Sequence, residues 1–274
     1  MKTRIITAAF GLPILLYVLL WSPLWLFGLA MGLICTIAAY EMLHMALGKA
    51  PRRLYVSVML CAFLMPVIFS LGMEFSWGVG LLLFLFFILS VEQMISYSGE
   101  WRITLDMIAV SMLAGGVMPM MLSTLARIGL IQGVGRVRMT LPFVIAFSSD
   151  SGAYFVGTYL GKRKLVPHIS PKKTVEGAIG GIAAGGFSAL LYGVVLHLCG
   201  FRVNLLSLTG FGLVGSVVSQ LGDLTFSAFK RQYDIKDYGR ILPGHGGVLD
   251  RFDSIYYLAP LTEVWIVIAP AIWL

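Results

Sequence analysis

The sequence is poor in charge. Only 12% of its 274 residues are Asp, Glu, Lys or Arg, whereas soluble domains carry roughly 25%. At the same time, 58% of the residues are hydrophobic. A chain of this length has too little interior to bury so much apolar surface in water. Soluble, disordered and fibrous classes are therefore excluded, and a lipid-embedded protein is predicted.

The chain also lacks several motifs that would assign a chemistry at once. It has no G-x-x-x-x-G-K-[ST] phosphate loop, no H-E-x-x-H zinc motif and no C-x-x-C pair. Its 3 cysteines lie in apolar runs without metal-ligand spacing, which predicts packing residues and no redox role. If phosphate is bound, another arrangement of residues must hold it.

Long apolar runs are what the sequence has in quantity. A helix needs about 20 mostly apolar residues to cross the hydrocarbon core. The first run follows a basic start but has no small-residue cleavage site, which favours a retained helix over a signal peptide. The predicted fold class is an all-α polytopic integral membrane helix bundle, a single membrane domain over residues 1–274 with about nine transmembrane helices: 5–21, 24–47, 54–71, 76–97, 103–126, 139–160, 175–199, 205–226 and 254–273.

The basic residues orient these spans. With the N-terminus in the cytoplasm, only four of the 20 Lys and Arg residues fall in outer loops (Arg127, Arg136, Arg138 and Arg202). The net charge of +7 is therefore interpreted as membrane topology, and no nucleic-acid partner is expected. Most of the inner charge lies in the loops 161–174 and 227–253. Residues 1–138 are thus predicted to be mainly scaffold, and residues 139–274 to carry the catalytic helices and cytoplasmic loops.

Two aspartates lie in predicted spans, where an ionisable side chain usually faces a partner or a water-filled cavity. Asp223 shares one predicted helix face with Ser219, Gln220 and Ser227. Asp150 precedes small residues at four-residue spacing, which predicts close helix packing and an aspartate that points into the bundle. A structural role stays open for both.

The loop after the sixth span carries Lys172 and Lys173. They are predicted to lie in the first turn of a helix that begins around Pro171, with Ser170, Thr174 and Glu176 around this helix start. Cations oppose the helix dipole there, so the two lysines indicate a docked anion. Positive-inside topology would also place the lysines, but not the serine, proline and glycines beside them.

The segment before the last span combines glycines with charge. Glycines at 244, 246 and 247 allow the backbone to approach a ligand closely. Asp250, with Asp223 and the lysines, suggests a divalent cation that bridges protein and phosphate. His245 is a general base, a phosphate donor or only a loop residue. Together these features predict phosphoryl or nucleotidyl transfer to a lipid at the cytoplasmic face.

The run from Ser227 to Asp253 resembles the signature of the phosphatidate cytidylyltransferases, also called CDP-diacylglycerol synthases. The matching residues are Ser227-x-x-Lys230-Arg231, Lys236-Asp237-x-Gly239 and Leu242-Pro243-x-His245-Gly246-Gly247-Val248-x-Asp250-Arg251-Phe252-Asp253. Asp150-Ser-Gly-Ala-Tyr154-x-x-Gly157 and Ser170-Pro-Lys-Lys-Thr174-Val-Glu176-Gly177 also match. The first half resembles the family only in being a series of hydrophobic helices.

The resemblance implies the Mg²⁺-dependent reaction CTP + phosphatidate → CDP-diacylglycerol + pyrophosphate, in a homodimer of a bacterial-type inner membrane with its active site facing the cytoplasm. It implies metal ligands at Asp223 and Asp250, and a second, monovalent cation. Catalytic roles are expected for Asp223, Asp250, Lys172, Lys173 and Arg251. Substrate contacts are expected for Ser170, Lys172, Lys173, Thr174, Glu176, Ser227, Lys230, Arg231, His245, Gly246, Gly247 and Asp150.

Two alternatives stay open. A CTP-dependent lipid kinase would use the same lysines and metal to transfer a γ-phosphoryl group. An ion or solute transporter would explain acidic residues in apolar runs, such as Glu41, Glu92 and Asp150.

Overall fold

The computed structural model of the chain describes residues 11, 13–48, 50–99, 101–239, 241 and 246–273. These residues are mostly helical, with four short strands among them. The chain divides into two compact units. Unit 1 comprises Met1–Leu130 and Asp237–Arg251, and unit 2 comprises Ile131–Lys236 and Phe252–Leu274. The single membrane domain stays a prediction.

The helices begin and end close to the predicted spans, because the long apolar runs determine both. They are α1 (Leu24–Leu47), α2 (Arg52–Ser70), α3 (Phe75–Ser96), α4 (Leu105–Met112), α5 (Met118–Gly129), α6 (Gly135–Leu160), α7 (Val175–Leu198), α8 (Leu205–Gln232) and α9 (Leu249–Ile268). A π-helical segment, Leu113–Val117, joins α4 to α5. Residues 13–20 are also helical, while residues 5–10 of the first predicted span lie outside the described residues.

Six helical segments of the described residues are long and apolar enough to cross a membrane. They are α1, α2, α3, the α4–α5 segment Leu105–Gly129, α7 and α8. The helices at the predicted spans 139–160 and 254–273 are not among the six, and both carry polar or charged residues within their length. The described part of the chain is therefore mostly helical with six candidate spans, and the count of nine stays a prediction.

Small residues set the helix packing of unit 1. A Cβ atom at Gly32 in α1 would lie 2.8 Å from the carbonyl oxygen of Phe63 in α2, so only glycine permits this approach. Phe27, Met31 and Phe69 are fully buried in the resulting core. The π-helical segment packs on α2 and α3. Two of the three cysteines are buried as predicted, whereas Cys199, in unit 2, is exposed.

Unit 2 is built on the packing of α7 against α6 and α8. A Cβ atom at Gly177 would lie 2.8 Å from the carbonyl oxygen of Ala153, which confirms the predicted close contact of small residues. The glycine pattern Gly210–Gly215 matches G-x-G-x-x-G, but it lies inside α8 and not at a turn. It serves helix packing, because a Cβ atom at Gly212 would lie 2.6 Å from the carbonyl oxygen of Gly185.

Two short two-stranded antiparallel sheets complete unit 2, and the first of them is a hairpin. β1 (Lys164–Val166) pairs with β2 (Ser170–Thr174), with Lys164 opposite Thr174. β3 (Arg202–Val203) pairs with β4 (Ile272–Trp273). The buried Arg138 guanidinium donates to the carbonyl oxygen of Ile272 and so ties α6 to β4. The β1–β2 hairpin positions the candidate site, because it leads directly into α7.

Candidate active site

Unit 2 contains a cavity of about 370 Å³ between α6, the β1–β2 hairpin, α7 and α8. Its charged lining consists of Asp150, Lys172, Lys173 and Asp223. Asp150 is exposed to this space, as expected of an aspartate that faces a polar cavity. Four predicted site residues from three separate parts of the sequence are thus brought together.

Asp223 is held on both of its carboxylate oxygens. The Lys173 ammonium donates to Oδ2, and the pair forms a salt bridge with both side chains about a quarter exposed (29% and 26%). The Ser227 hydroxyl donates to Oδ1 at 3.2 Å, across one helical turn. The predicted shared face of Asp223 and Ser227 is therefore confirmed. The arrangement keeps a carboxylate and an ammonium at the cavity wall.

Asp253 is a further acidic residue near this site, and sequence reasoning left it without a role. A Cβ atom at Gly222 would lie 3.1 Å from the Asp253 carbonyl oxygen, and Ser254 Oγ donates to the Ser219 carbonyl at 3.2 Å. Burial, and after it the charge of Asp223, raises the pKa of Asp253 to about 7, although the positive charge of Lys230 opposes the shift. Asp253 precedes the predicted span 254–273, one helical turn after Asp250 in α9. That spacing was the signal available in the sequence.

The predicted helix start at Pro171 is wrong. Pro171, Lys172 and Lys173 lie in strand β2, and α7 begins at Val175 after Thr174 as its N-cap. The Thr174 side chain accepts a hydrogen bond from Gly177 N at 3.1 Å, which satisfies one free N–H of the first turn. The hairpin overrides the proline signal because β1 supplies a pairing partner. The lysines therefore reach the cavity from a strand.

Glu176 closes the loop before the hairpin. Its Oε2 accepts hydrogen bonds from the backbone N–H groups of Lys162 at 3.0 Å and Arg163 at 3.2 Å. Ser170 lies opposite Val166 at the far end of the hairpin. Neither Ser170 nor Glu176 lines the cavity. Their contacts instead stabilise the conformation of the loop and the hairpin. Their predicted substrate contacts stay predictions.

Lys230 and Arg231 follow Asp223 along α8 but do not line the cavity. Lys230 is buried, with 8% of its surface exposed. Arg231 Nε donates to the carbonyl oxygen of Ile169 at 3.1 Å, and Nη1 donates to that of Ile235 at 2.9 Å. Arg231 thus ties the end of the hairpin to the segment after α8. Gln220, Tyr154 and Thr158 do line the cavity, although they were absent from the predicted site.

The signature run from Ser227 to Asp253 is divided between the units, with Asp237–Arg251 in unit 1 and the residues before and after them in unit 2. Asp250 Oδ2 accepts hydrogen bonds from Tyr238 N at 2.9 Å and Gly247 N at 3.0 Å. Gly246 has a positive φ of 86°, a conformation that glycine adopts without strain. Residues 242–245, including His245, lie outside the described residues. The roles predicted for Asp250, Arg251, Gly246 and Gly247 stay predictions.

Glu41 holds the same segment from within α1. Its two carboxylate oxygens accept hydrogen bonds from Val248 N at 3.0 Å and Leu249 N at 2.8 Å. Glu92, another acid of an apolar run, lies 2.6 Å from Arg53 Nε in a salt bridge. Two of the three acids that suggested a transporter, Glu41 and Glu92, therefore have structural partners in unit 1, whereas the third, Asp150, lines the cavity of unit 2.

Asp223 and Asp150 have the chemistry that a magnesium ion requires, because carboxylate oxygens are its preferred protein ligands. Within the described ranges, no group of three or more His, Cys, Asp or Glu side chains is arranged to hold a metal by itself. Mg²⁺ typically uses only one or two carboxylates and completes its shell with water and substrate phosphate. The cavity residues of unit 2 therefore fit this ion.

Residues 2–269 match the model of a family described as the cytidylyltransferase family. Three similar curated relatives are each called phosphatidate cytidylyltransferase. The Bacillus subtilis (strain 168) protein is 56% identical over 117 residues, which cover 43% of this chain and 42% of the relative. The Staphylococcus aureus (strain COL) protein is 47% identical over 126 residues, covering 46% and 47%. The Staphylococcus haemolyticus protein is 45% identical over 125 residues, covering the same shares. The matches thus span less than half the length of these relatives.

Proposed function

Because the chain belongs to the cytidylyltransferase family, we propose that it is a phosphatidate cytidylyltransferase that converts CTP and phosphatidate into CDP-diacylglycerol and pyrophosphate. The observation that carries this proposal is the cavity of unit 2, where two lysines and two aspartates converge. The names of the curated relatives support the same substrates.

The reaction requires little covalent chemistry from the protein. An oxygen of the phosphatidate phosphate attacks the α-phosphorus of CTP and forms a new P–O–P bond. The bond between the α-phosphorus and the oxygen that bridges it to the β-phosphorus breaks, and pyrophosphate leaves with that electron pair. Since a phosphate monoester is already a nucleophile, catalysis rests on positioning and on neutralising charge.

The cavity residues divide this work by charge. Lys172 is exposed and projects from β2, so it is suited to hold phosphate oxygens of CTP. The Lys173 ammonium already contacts Asp223, and phosphate oxygens at the same place would share it. The polar side chains of Gln220 and Thr158 line the remaining wall and can orient the substrates.

Asp223 and Asp250 would each be a ligand of Mg²⁺, as the family resemblance implies, and a second, monovalent cation would also be bound. The divalent ion would supply charge neutralisation for the phosphate oxygens. Asp150 places additional negative charge at the cavity of unit 2, and this carboxylate would keep the lysine side chains oriented toward the cavity.

We also propose that the protein works as a homodimer in a bacterial inner membrane. Six apolar helical segments support integration into a membrane. The concentration of Lys and Arg in two loops supports a cytoplasmic active site by the positive-inside rule. The acyl chains of phosphatidate would stay in lipid while its head group enters the cavity.

The test is product analysis with the purified full chain in lipid vesicles containing phosphatidate. CTP is labelled either on the α-phosphate or on the γ-phosphate, and Mg²⁺ is added. Label from the α-phosphate should appear in the extracted lipid, and label from the γ-phosphate should appear in pyrophosphate. Transfer of γ-label into lipid would identify a lipid kinase and overturn the proposal.

A further inference from the structure

A groove of about 530 Å³ lies between α2 and α3 of unit 1. Val56, Leu60 and Cys61 line it from α2, and Phe84 and Ile88 line it from α3. Val56, Leu60 and Phe84 are each more than half exposed, at 54%, 54% and 55%. The groove therefore presents apolar walls on the outside of two helices that are candidate membrane spans.

One end of this groove is basic. Arg52 and Arg53, the first two residues of α2, belong to its lining. Arg53 Nε contacts Glu92 Oε2 at 2.6 Å, so the single carboxylate of Glu92 neutralises one of the two guanidinium groups. Arg52 is exposed and leaves a net positive charge at this end. Pro51, the N-cap of α2, supplies no side-chain cap, so the positive helix end adds to that charge.

We propose that this groove binds an anionic phospholipid, with the phosphate at Arg52 and Arg53 and one acyl chain along the apolar walls. The chemistry of the two parts is complementary to such a molecule, which is anionic at one end and apolar along the other. Basic pockets between transmembrane helices are suited to phospholipid head groups. From Arg52 to Cys61 the helix rises by roughly 13 Å, enough for the upper part of an acyl chain.

A helix from a second copy of the chain would cover the same apolar walls, but it would leave Arg52, which has no acidic partner among the described residues, without a counterion. Charge complementarity therefore favours the lipid. The groove shares no residue with the proposed active site, and its test measures binding and not turnover.

The experiment uses the full chain in phosphatidylcholine vesicles with a trace of phosphatidylglycerol that carries a photoactivatable group on one acyl chain. After irradiation, labelled peptides are mapped by mass spectrometry. Label is expected within residues 52–61 and 84–92. Excess unlabelled phosphatidylglycerol should displace it, whereas excess phosphatidylcholine and soluble glycerol phosphate should not.

Three variants sharpen the result. Arg52→Gln should reduce this labelling about fivefold, because one cation near the membrane surface is lost. Ser57→Phe should remove it by filling the groove. Arg102→Gln is the matched control, since this exposed arginine stacks on Tyr97 at 4.9 Å outside the groove, and it should change nothing. Label spread evenly over the exposed face of α3, equal labelling of Arg52→Gln and wild type, or groove peptides cross-linked between two copies would each overturn the proposal.

Discussion

The two units use charged residues in different ways. In unit 1, three charged side chains of the apolar helices contact other parts of the same unit: Glu41 accepts backbone N–H groups, Glu92 pairs with Arg53, and Arg127 lies 4.7 Å from the ring centre of Phe69. In unit 2, Asp150, Lys172, Lys173 and Asp223 line a cavity. A charged side chain that only stabilises the fold is thus surrounded by protein, whereas one that can bind a ligand borders open space.

The largest effect is expected for Asp223→Asn, which removes a cavity charge and keeps the shape. Turnover of CTP to CDP-lipid should fall about 100- to 1,000-fold, the range found when one preorganised electrostatic contact is deleted. Asp106→Asn in the first turn of α4 is the matched control, because this exposed acid belongs to unit 1. Thermal unfolding should be similar for both. Full activity of Asp223→Asn would show that Asp223 is not a metal ligand.

Asp250→Asn should act next most strongly, through the metal. The apparent affinity for Mg²⁺ is expected to fall about 10- to 100-fold, as for residues that orient or hold a metal site. The Asn oxygen can still accept one backbone N–H, so the segment should keep its fold. A titration of turnover against Mg²⁺ measures this effect. An unchanged midpoint would assign Asp250 to loop structure alone.

The two lysines of β2 should show smaller effects. Lys172→Ala and Lys173→Ala are each expected to raise the KM for CTP about tenfold, because a charge-assisted contact to phosphate is lost. Lys162→Ala is the control, since Lys162 precedes the hairpin and does not line the cavity. Steady-state kinetics at varied CTP concentrations measure the KM of each variant. Unchanged KM values would mean that the two lysines only set the membrane topology and do not bind CTP.

Glu41→Gln should have the smallest effect on turnover and a measurable effect on stability. Its replacement leaves one oxygen to accept from two backbone N–H groups, so the free energy of unfolding should fall by about 1–3 kcal/mol. Glu74→Gln, at the exposed N-cap of α3, is the control. Denaturation in detergent measures the change. Equal stability of the two variants would contradict the stabilising role assigned to the hydrogen bonds of Glu41.

The sequence predicted the helices well because each apolar run is long and ends at polar or turn residues. The α1 bounds agree with the prediction at both ends, and α7 differs from it by one residue. The β1–β2 hairpin was missed because its strands are short and polar, without the alternation that indicates a half-buried strand. The pairing of Lys164 with Thr174 depends on the neighbouring strand, and the residues around Pro171 alone do not predict it.

The candidate site was predictable in residue type more than in geometry. Asp223, Lys172, Lys173 and Asp150 were identified, and the structure brings them to one cavity. The sequence did not predict the structural role of Glu41, because its partners Val248 and Leu249 lie 207 and 208 residues away along the chain. Gln220 was recognised as part of a polar helix face that indicates a cavity, and the structure places it in the cavity lining.

Nucleotide binding in the cavity of unit 2 can be tested by lysine footprinting with an amine-reactive reagent, with and without CTP and Mg²⁺. CTP should protect Lys172 and Lys173 from modification, while the exposed Lys162 and Lys164 should react equally in both conditions. Equal modification of all four lysines with saturating CTP would contradict the claim that the cavity of unit 2 binds the nucleotide.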